Sequence, residues 1–147
     1  MRSRPIVVAA AIAVLSALGA APDALARPTV AVTRVDVPPR DGAPRLAREI
    51  KKLIDDAARH TSFGPGDRKK RIEITARLVE LSAEERGDVL EIHCTLAGRV
   101  VGARGAKSKI AFGGSPKDRA ALEKQVLKMV AQGLVARLAQ IARESAE

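Results

Sequence analysis

From Thr29 onward the hydrophobic positions switch between a period of two residues and a period of three to four, and the switch points mark the elements. "TVAVTRVDV" (29–37) is rich in β-branched residues and reads as a strand, closed by Pro38-Pro39 and Asp41-Gly42. A helix is predicted from about Pro44, a favourable first-turn residue. Leu46, Ile50, Leu53, Ile54 and Ala57 recur on one side of it, with Arg45, Arg48, Lys52 and Arg59 opposite, until "TSFGPGD" (61–67) breaks it. In the second strand, Ile72–Leu81, the residues Ile72, Ile74, Ala76 and Leu78 alternate with Glu73, Thr75 and Arg77. Val79 and Leu81 fall out of phase, which predicts a bulge or strand end beside them. "SAEERGD" (82–88) reads as a polar turn. A third strand follows over Val89–Val101, with Leu90, Ile92, Cys94 and Leu96 inward and Glu91, His93 and Thr95 outward. Ser108–Phe112 makes a short fourth strand.

The final element is the longest. Ser115 suits an N-cap, Pro116 the first turn, and helical spacing continues to about Glu144. Leu127, Val130, Leu134, Leu138 and Ile141 form one apolar stripe, and Leu122, Val126, Met129 and Gly133 a second beside it. Two stripes require two surfaces. The sheet and the first helix can supply both, or the second stripe faces a partner. Gly133 costs about 1 kcal/mol relative to Ala inside a helix, which close packing on a neighbouring backbone would offset. The order is β-α-β-β-β-α. A helical crossover makes the first two strands parallel, and the short later connections favour antiparallel neighbours. The expected fold class is α+β: a two-layer sandwich, a four-stranded mixed sheet with two helices on one face.

Residues 1–26 read differently. Arg2 and Arg4 precede an almost wholly apolar run from Ile6 to Ala21, and Ala24-Leu25-Ala26 matches a signal-peptidase site. The run is shorter than the ~20 residues of a membrane-spanning helix. The expectation is a cleaved signal peptide over 1–26 and a single α/β domain over 27–147, periplasmic or secreted. Cleavage removes Arg2, Arg4 and Asp23, so the formal charge falls from +9 to +8 over 121 residues. Such a balance suits anionic surroundings. Cys94 is the only cysteine, which excludes an intramolecular disulfide. Phe63 and Phe112 are the only aromatics, so the stacking platforms common in sugar and single-strand nucleic-acid sites are missing.

"GRVVGARGAKSKIAFGG" (98–114) superficially suggests a phosphate loop. A P-loop places Lys directly after its last Gly and leads into a helix. Here Ala106 separates Gly105 from Lys107, and the alternating "SKIAF" follows. The glycines instead suit a hairpin turn. Topology places that turn at the same end of the sheet as the basic run 68–71 and the end of the last helix. Arg68, Lys69, Lys70, Arg71, Arg104 and Lys107 would gather there as a pole for an anionic ligand, with Arg143 near by. The competing reading is that basic residues suit helix C-termini and discourage strand pairing at edges. His93 with Glu91 and, across the sheet, Glu73 invites an acid–base or metal reading. His60 is the only other histidine, and a cross-strand polar pair explains His93 more simply. Cys94 falls on an inward position and reads as core. No catalytic, cofactor or metal constellation is expected.

The leader, "TVAVTRVDV", a helix, three strands and a long last helix together resemble small envelope-assembly accessory proteins. These are the domain type of the penicillin-binding-protein activator LpoB, the curli secretion factor CsgG and the lipopolysaccharide assembly factor LptE. The lipobox cysteine typical of those lipoproteins has no counterpart here. The resemblance implies a non-enzymatic accessory role in the cell envelope through protein or polymer contacts. The alternative is a basic module that binds an anionic polymer or lipid surface directly, such as cell-wall polymer or lipopolysaccharide. Nucleic acid is a less favoured ligand of that module.

Overall fold

Four strands and two helices are laid out in the computed structural model, which describes residues 27–147. The strands are β1 (Thr29–Asp36), β2 (Arg71–Arg86), β3 (Val89–Val100) and β4 (Gly105–Gly114), and they lie in the order β1-β2-β3-β4. β1 and β2 are parallel, while β2–β3 and β3–β4 are antiparallel. The helices are α1 (Ala43–Arg59) and α2 (Arg119–Glu144), the latter entered through a single 3-10 turn over Pro116–Asp118. The expected α+β sandwich with a mixed four-stranded sheet is the fold observed.

Both helices pack on one face of the sheet, because only that face is apolar. Ile72, Ile74, Ala76 and Leu78 of β2 and Leu90, Ile92, Cys94 and Leu96 of β3 are all buried there. α1 contributes Leu46, Ile50, Ile54 and Ala58, and packs against β1 and α2. α2 crosses β3 and β4, and Leu127, Val130, Leu134 and Leu138 along it are 1% exposed or less. Ser115 caps the start of the 3-10 turn, its Oγ accepting from the Lys117 N–H at 3.4 Å.

The second stripe of α2 faces β4 rather than a partner. Leu122 and Val126 are buried, and Met129 is half-buried. A methyl group built on Gly133 would sit 2.6 Å from Ser108 Oγ, and one on Gly114 2.7 Å from the Leu122 side chain. Gly133 is therefore a close-approach residue. The partner-facing expectation for Leu122, Val126, Met129 and Gly133 is corrected: the stripe covers the last strand of its own sheet.

Two strand boundaries also differ from expectation. The bulge falls at Val79, where the β2–β3 register shifts between Leu78 and Glu80, and it returns Leu81 to the helix side opposite Cys94. β2 then continues through the supposed polar turn to Arg86, leaving only Gly87-Asp88 to reverse the chain, with Gly87 at φ 63°. Residues 82–89 are exposed, although Leu90 and Ile92, which pair with Glu85 and Ala83, are buried. β4 starts at Gly105 and ends at Gly114, longer at both ends than Ser108–Phe112. The leader over 1–26 lies outside the described residues.

Candidate functional site

In a sheet, residues in register share a face. The pairings therefore specify what the uncovered face displays. One row across it reads Asp36, Arg77, Ala97, Lys107, and the next reads Arg34, Thr75, Arg99, Gly105. Thr75, Ala97 and Gly105 are small and form a floor. Arg77, Arg99 and Lys107 rise around it, all exposed. They line a shallow groove of about 600 Å³, which Arg104 and Asp36 border. Asp36 is engaged by Arg34, whose Nε lies 2.8 Å from its Oδ1. Among the described residues no ion pair forms at Arg77, Arg99 or Lys107.

The basic pole lies at the adjoining end of the sheet. β2 begins there, and the 101–104 hairpin tip meets it: the Val101 N–H donates to the Glu73 carbonyl at 2.9 Å. Gly102, at φ 86°, turns the tip. Lys70 and Arg71 share a small depression with Val101, Gly102, Ala103 and the end of α2. The 68–70 turn is shaped by Asp67, whose Oδ1 accepts from the N–H groups of Lys69 and Lys70 at 2.9 and 3.0 Å. The side chains of Arg68, Lys69 and Lys70 are exposed, and among the described residues none forms an ion pair.

The remaining pole residues are partly engaged. Arg71 contacts Glu73 at 3.3 Å, and Arg104 Nη2 lies 2.6 Å from Glu144 Oε2. Arg143 donates to the Ser62 carbonyl and so ties α2 to the loop after α1. Lys107 lies two rows in from the tip. Its carbonyl accepts from Arg137 Nη1 at 2.6 Å, while its side chain belongs to the groove. The structure thus brings Lys70 and Arg71 beside the hairpin tip, and groups Arg104 and Lys107 with Arg77 and Arg99 instead. Those two arginines are what sequence reasoning missed. Arg77 was an outward position and Arg99 continues the outward set of β3, but only the register makes them diagonal neighbours, about 7–8 Å apart at the backbone.

The His93 cluster is smaller than expected. His93 Nε2 lies 3.0 Å from Glu91 Oε1. Glu73 does not approach, because the long β2–β3 hairpin sets His93 opposite Ser82 and leaves Glu73 at the far end of the strand. Cys94 is fully buried, and burial first, then the charges of Glu80 and Glu123, pushes its thiol pKa up to about 12. A thiol held protonated inside the core is a packing group. Among the described residues no three His, Cys, Asp or Glu side chains come together as a metal site.

No protein-family model matches this chain, and no curated protein does. Several solved structures align over most of its length at low similarity. A candidate lipoprotein from Caulobacter crescentus shares 12% identity at a TM-score of 0.48, over 80% of this chain and 90% of the other. The PelC dodecamer protein from Paraburkholderia phytofirmans shares 17% identity at 0.46, over 77% and 91%. The hypothetical protein CT253 from Chlamydia trachomatis shares 14% at 0.45, over 80% and 98%. Such values assign neither family nor activity. Among the described residues no helix is long and apolar enough to cross a membrane.

Proposed function

We propose that the chain is an exported, non-enzymatic accessory module of the cell envelope that binds an anionic polymer or lipid surface directly through its basic end. One observation carries this reading. Arg68, Lys69 and Lys70 stand exposed at the end of the sheet where Lys70 and Arg71 adjoin the hairpin tip. Clustered cations of this kind favour a polyanion and raise its rate of encounter. The leader supports export. Docking through the second α2 stripe does not compete with this reading, since that stripe packs on β4.

The test is co-sedimentation of the mature chain with vesicles containing phosphatidylglycerol, and with isolated anionic cell-wall polymer, over a range of salt. Binding is expected to fall steeply with ionic strength, and to drop at least tenfold in a Lys69→Glu/Lys70→Glu variant. Binding that ignores both salt and charge reversal would exclude this reading.

A further inference from the structure

The groove on the open sheet face has a chemistry of its own, separate from the pole. We propose that it is a binding site for phosphoryl groups, with Arg77, Arg99 and Lys107 as the cations and Thr75 as a hydroxyl donor. Four features lead there.

First, the three cations line one groove and among the described residues none of them forms an ion pair, although Asp36 lies opposite Arg77. Arg77 and Lys107 flank Ala97 in one row, about 10 Å apart by the spacing of alternate strands. Arg99 stands in the next row, opposite Thr75. Like charges set close on neighbouring strands destabilise a sheet, and the fold derives no ion pair from any of these three. The nearest carboxylate on that face, Asp36, is already held by Arg34. A bound anion would offset the repulsion.

Second, the floor is empty because its residues are small. Ala97 fills little of the space between Arg77 and Lys107, and Gly105 fills none. A methyl group built on Gly105 would lie 3.0 Å from the Gly98 carbonyl and 3.7 Å from Arg99 Cβ. Bulkier residues at 97 or 105 would close the groove.

Third, the donor set selects among anions. Guanidinium forks suit planar or tetrahedral oxyanions and bind phosphate bidentately. Two forks, an ammonium and a hydroxyl offer more donors than the two oxygens of one carboxylate can use, whereas a phosphoryl group presents three oxygens. Fourth, none of the lining side chains is aromatic, so the base or sugar ring of a ligand gains no stacking. Recognition rests on the phosphoryl groups themselves, whether carried by a soluble or polymeric phosphate or by a lipid headgroup.

The site is independent of the proposal for the basic pole, and the two can fail separately. Isothermal titration of the mature chain with inorganic tripolyphosphate, and flotation with phosphatidic acid vesicles, supply the two phosphoryl sources. Arg77→Gln/Arg99→Gln should weaken whichever source binds by at least tenfold with the melting temperature unchanged or slightly raised. Ala97→Phe should weaken it similarly with no change of charge. Lys69→Glu/Lys70→Glu should leave tripolyphosphate affinity within about twofold. Tripolyphosphate binding alone identifies soluble or polymeric phosphate, and vesicle binding alone identifies a headgroup. Either supports the site. It is overturned if neither source binds, if both groove variants bind like the parent, if the pole variant loses tripolyphosphate as severely as the groove variants, or if citrate binds as tightly as tripolyphosphate.

Discussion

The two faces of the sheet are made by the same strands and obey opposite rules. On β2, Ile72, Ile74, Ala76 and Leu78 point to the helices and are nearly or wholly inaccessible, whereas Thr75 and Arg77, one residue along, face solvent. The inner face determines the fold. Its residues are interlocked with α1 and α2 and cannot vary in volume without cost. Among the described residues no layer covers the outer face, so its side chains are free to be chosen for contact. Near the hairpin tip they are cationic around small residues, and toward Gly87 they turn acidic with Glu80, Glu84 and Glu91. A molecule with one face committed to stability and the other graded in charge can bind without refolding.

Substitution on the inner face should break this contrast most strongly. Leu134→Ala removes a fully buried side chain that reaches the space left by Gly98, where an added methyl would lie 3.0 Å from Leu134 Cδ2. A loss of about 2–5 kcal/mol in chemical denaturation is expected. Arg77→Gln on the opposite face should change stability by no more than about 0.5 kcal/mol. Comparable losses at the two positions would contradict the division between faces.

Gly133→Ala gives a finer test. The helix gains about 1 kcal/mol from the propensity of Ala, but overpacking against Ser108 costs about 1–3 kcal/mol. Net destabilisation is expected, and Ser108→Ala in the same chain should recover part of it. Stabilisation by Gly133→Ala alone would show that the α2–β4 contact is loose.

A smaller effect is expected where the hairpin tip meets α2. The Arg104–Glu144 pair is largely exposed, at 72% and 47% of the side-chain surfaces. A double-mutant cycle with Arg104→Gln and Glu144→Gln should give a coupling of about 0.2–1 kcal/mol that fades in high salt. A larger, salt-insensitive value would make this pair a structural clamp.

The ionisation of Cys94 should have the least influence near neutral pH. Its folded thiol is shifted up from 9.0 to about 12, so the folded state holds the proton more tightly than the unfolded chain. That contribution is complete below about pH 9 and is lost as the pH rises toward about 12. Cys94→Ala should flatten this part of the alkaline stability curve. At neutral pH the folded thiol should react with an aromatic disulfide reagent only through unfolding. Fast labelling of the folded protein would show that the inner face is open at β3.

What was legible in the chain divides along the same line. Alternation and helical stripes revealed the inner face, because burial forces a period onto Ile72–Leu78, Leu90–Leu96 and Leu127–Ile141. Even the bulge at Val79 showed as a break in phase. The strand segment 82–86 escaped because it is exposed and largely polar on both faces, so no hydrophobic period marks it. That missed extension also misplaced Glu73 relative to His93. The first residues of β4, Gly105-Ala106-Lys107, carry weak strand preference and are held by pairing with β3. The groove was invisible for a related reason. Arg77, Arg99 and Lys107 are scattered over about thirty residues, and two pairing registers are needed to bring them together.

The most direct measurement is made on one variant in two ways. Arg77→Gln/Arg99→Gln should melt within a few degrees of the parent while its affinity for tripolyphosphate falls at least tenfold. A large drop in melting temperature, or unchanged affinity, would contradict the assignment of fold to one face and binding to the other.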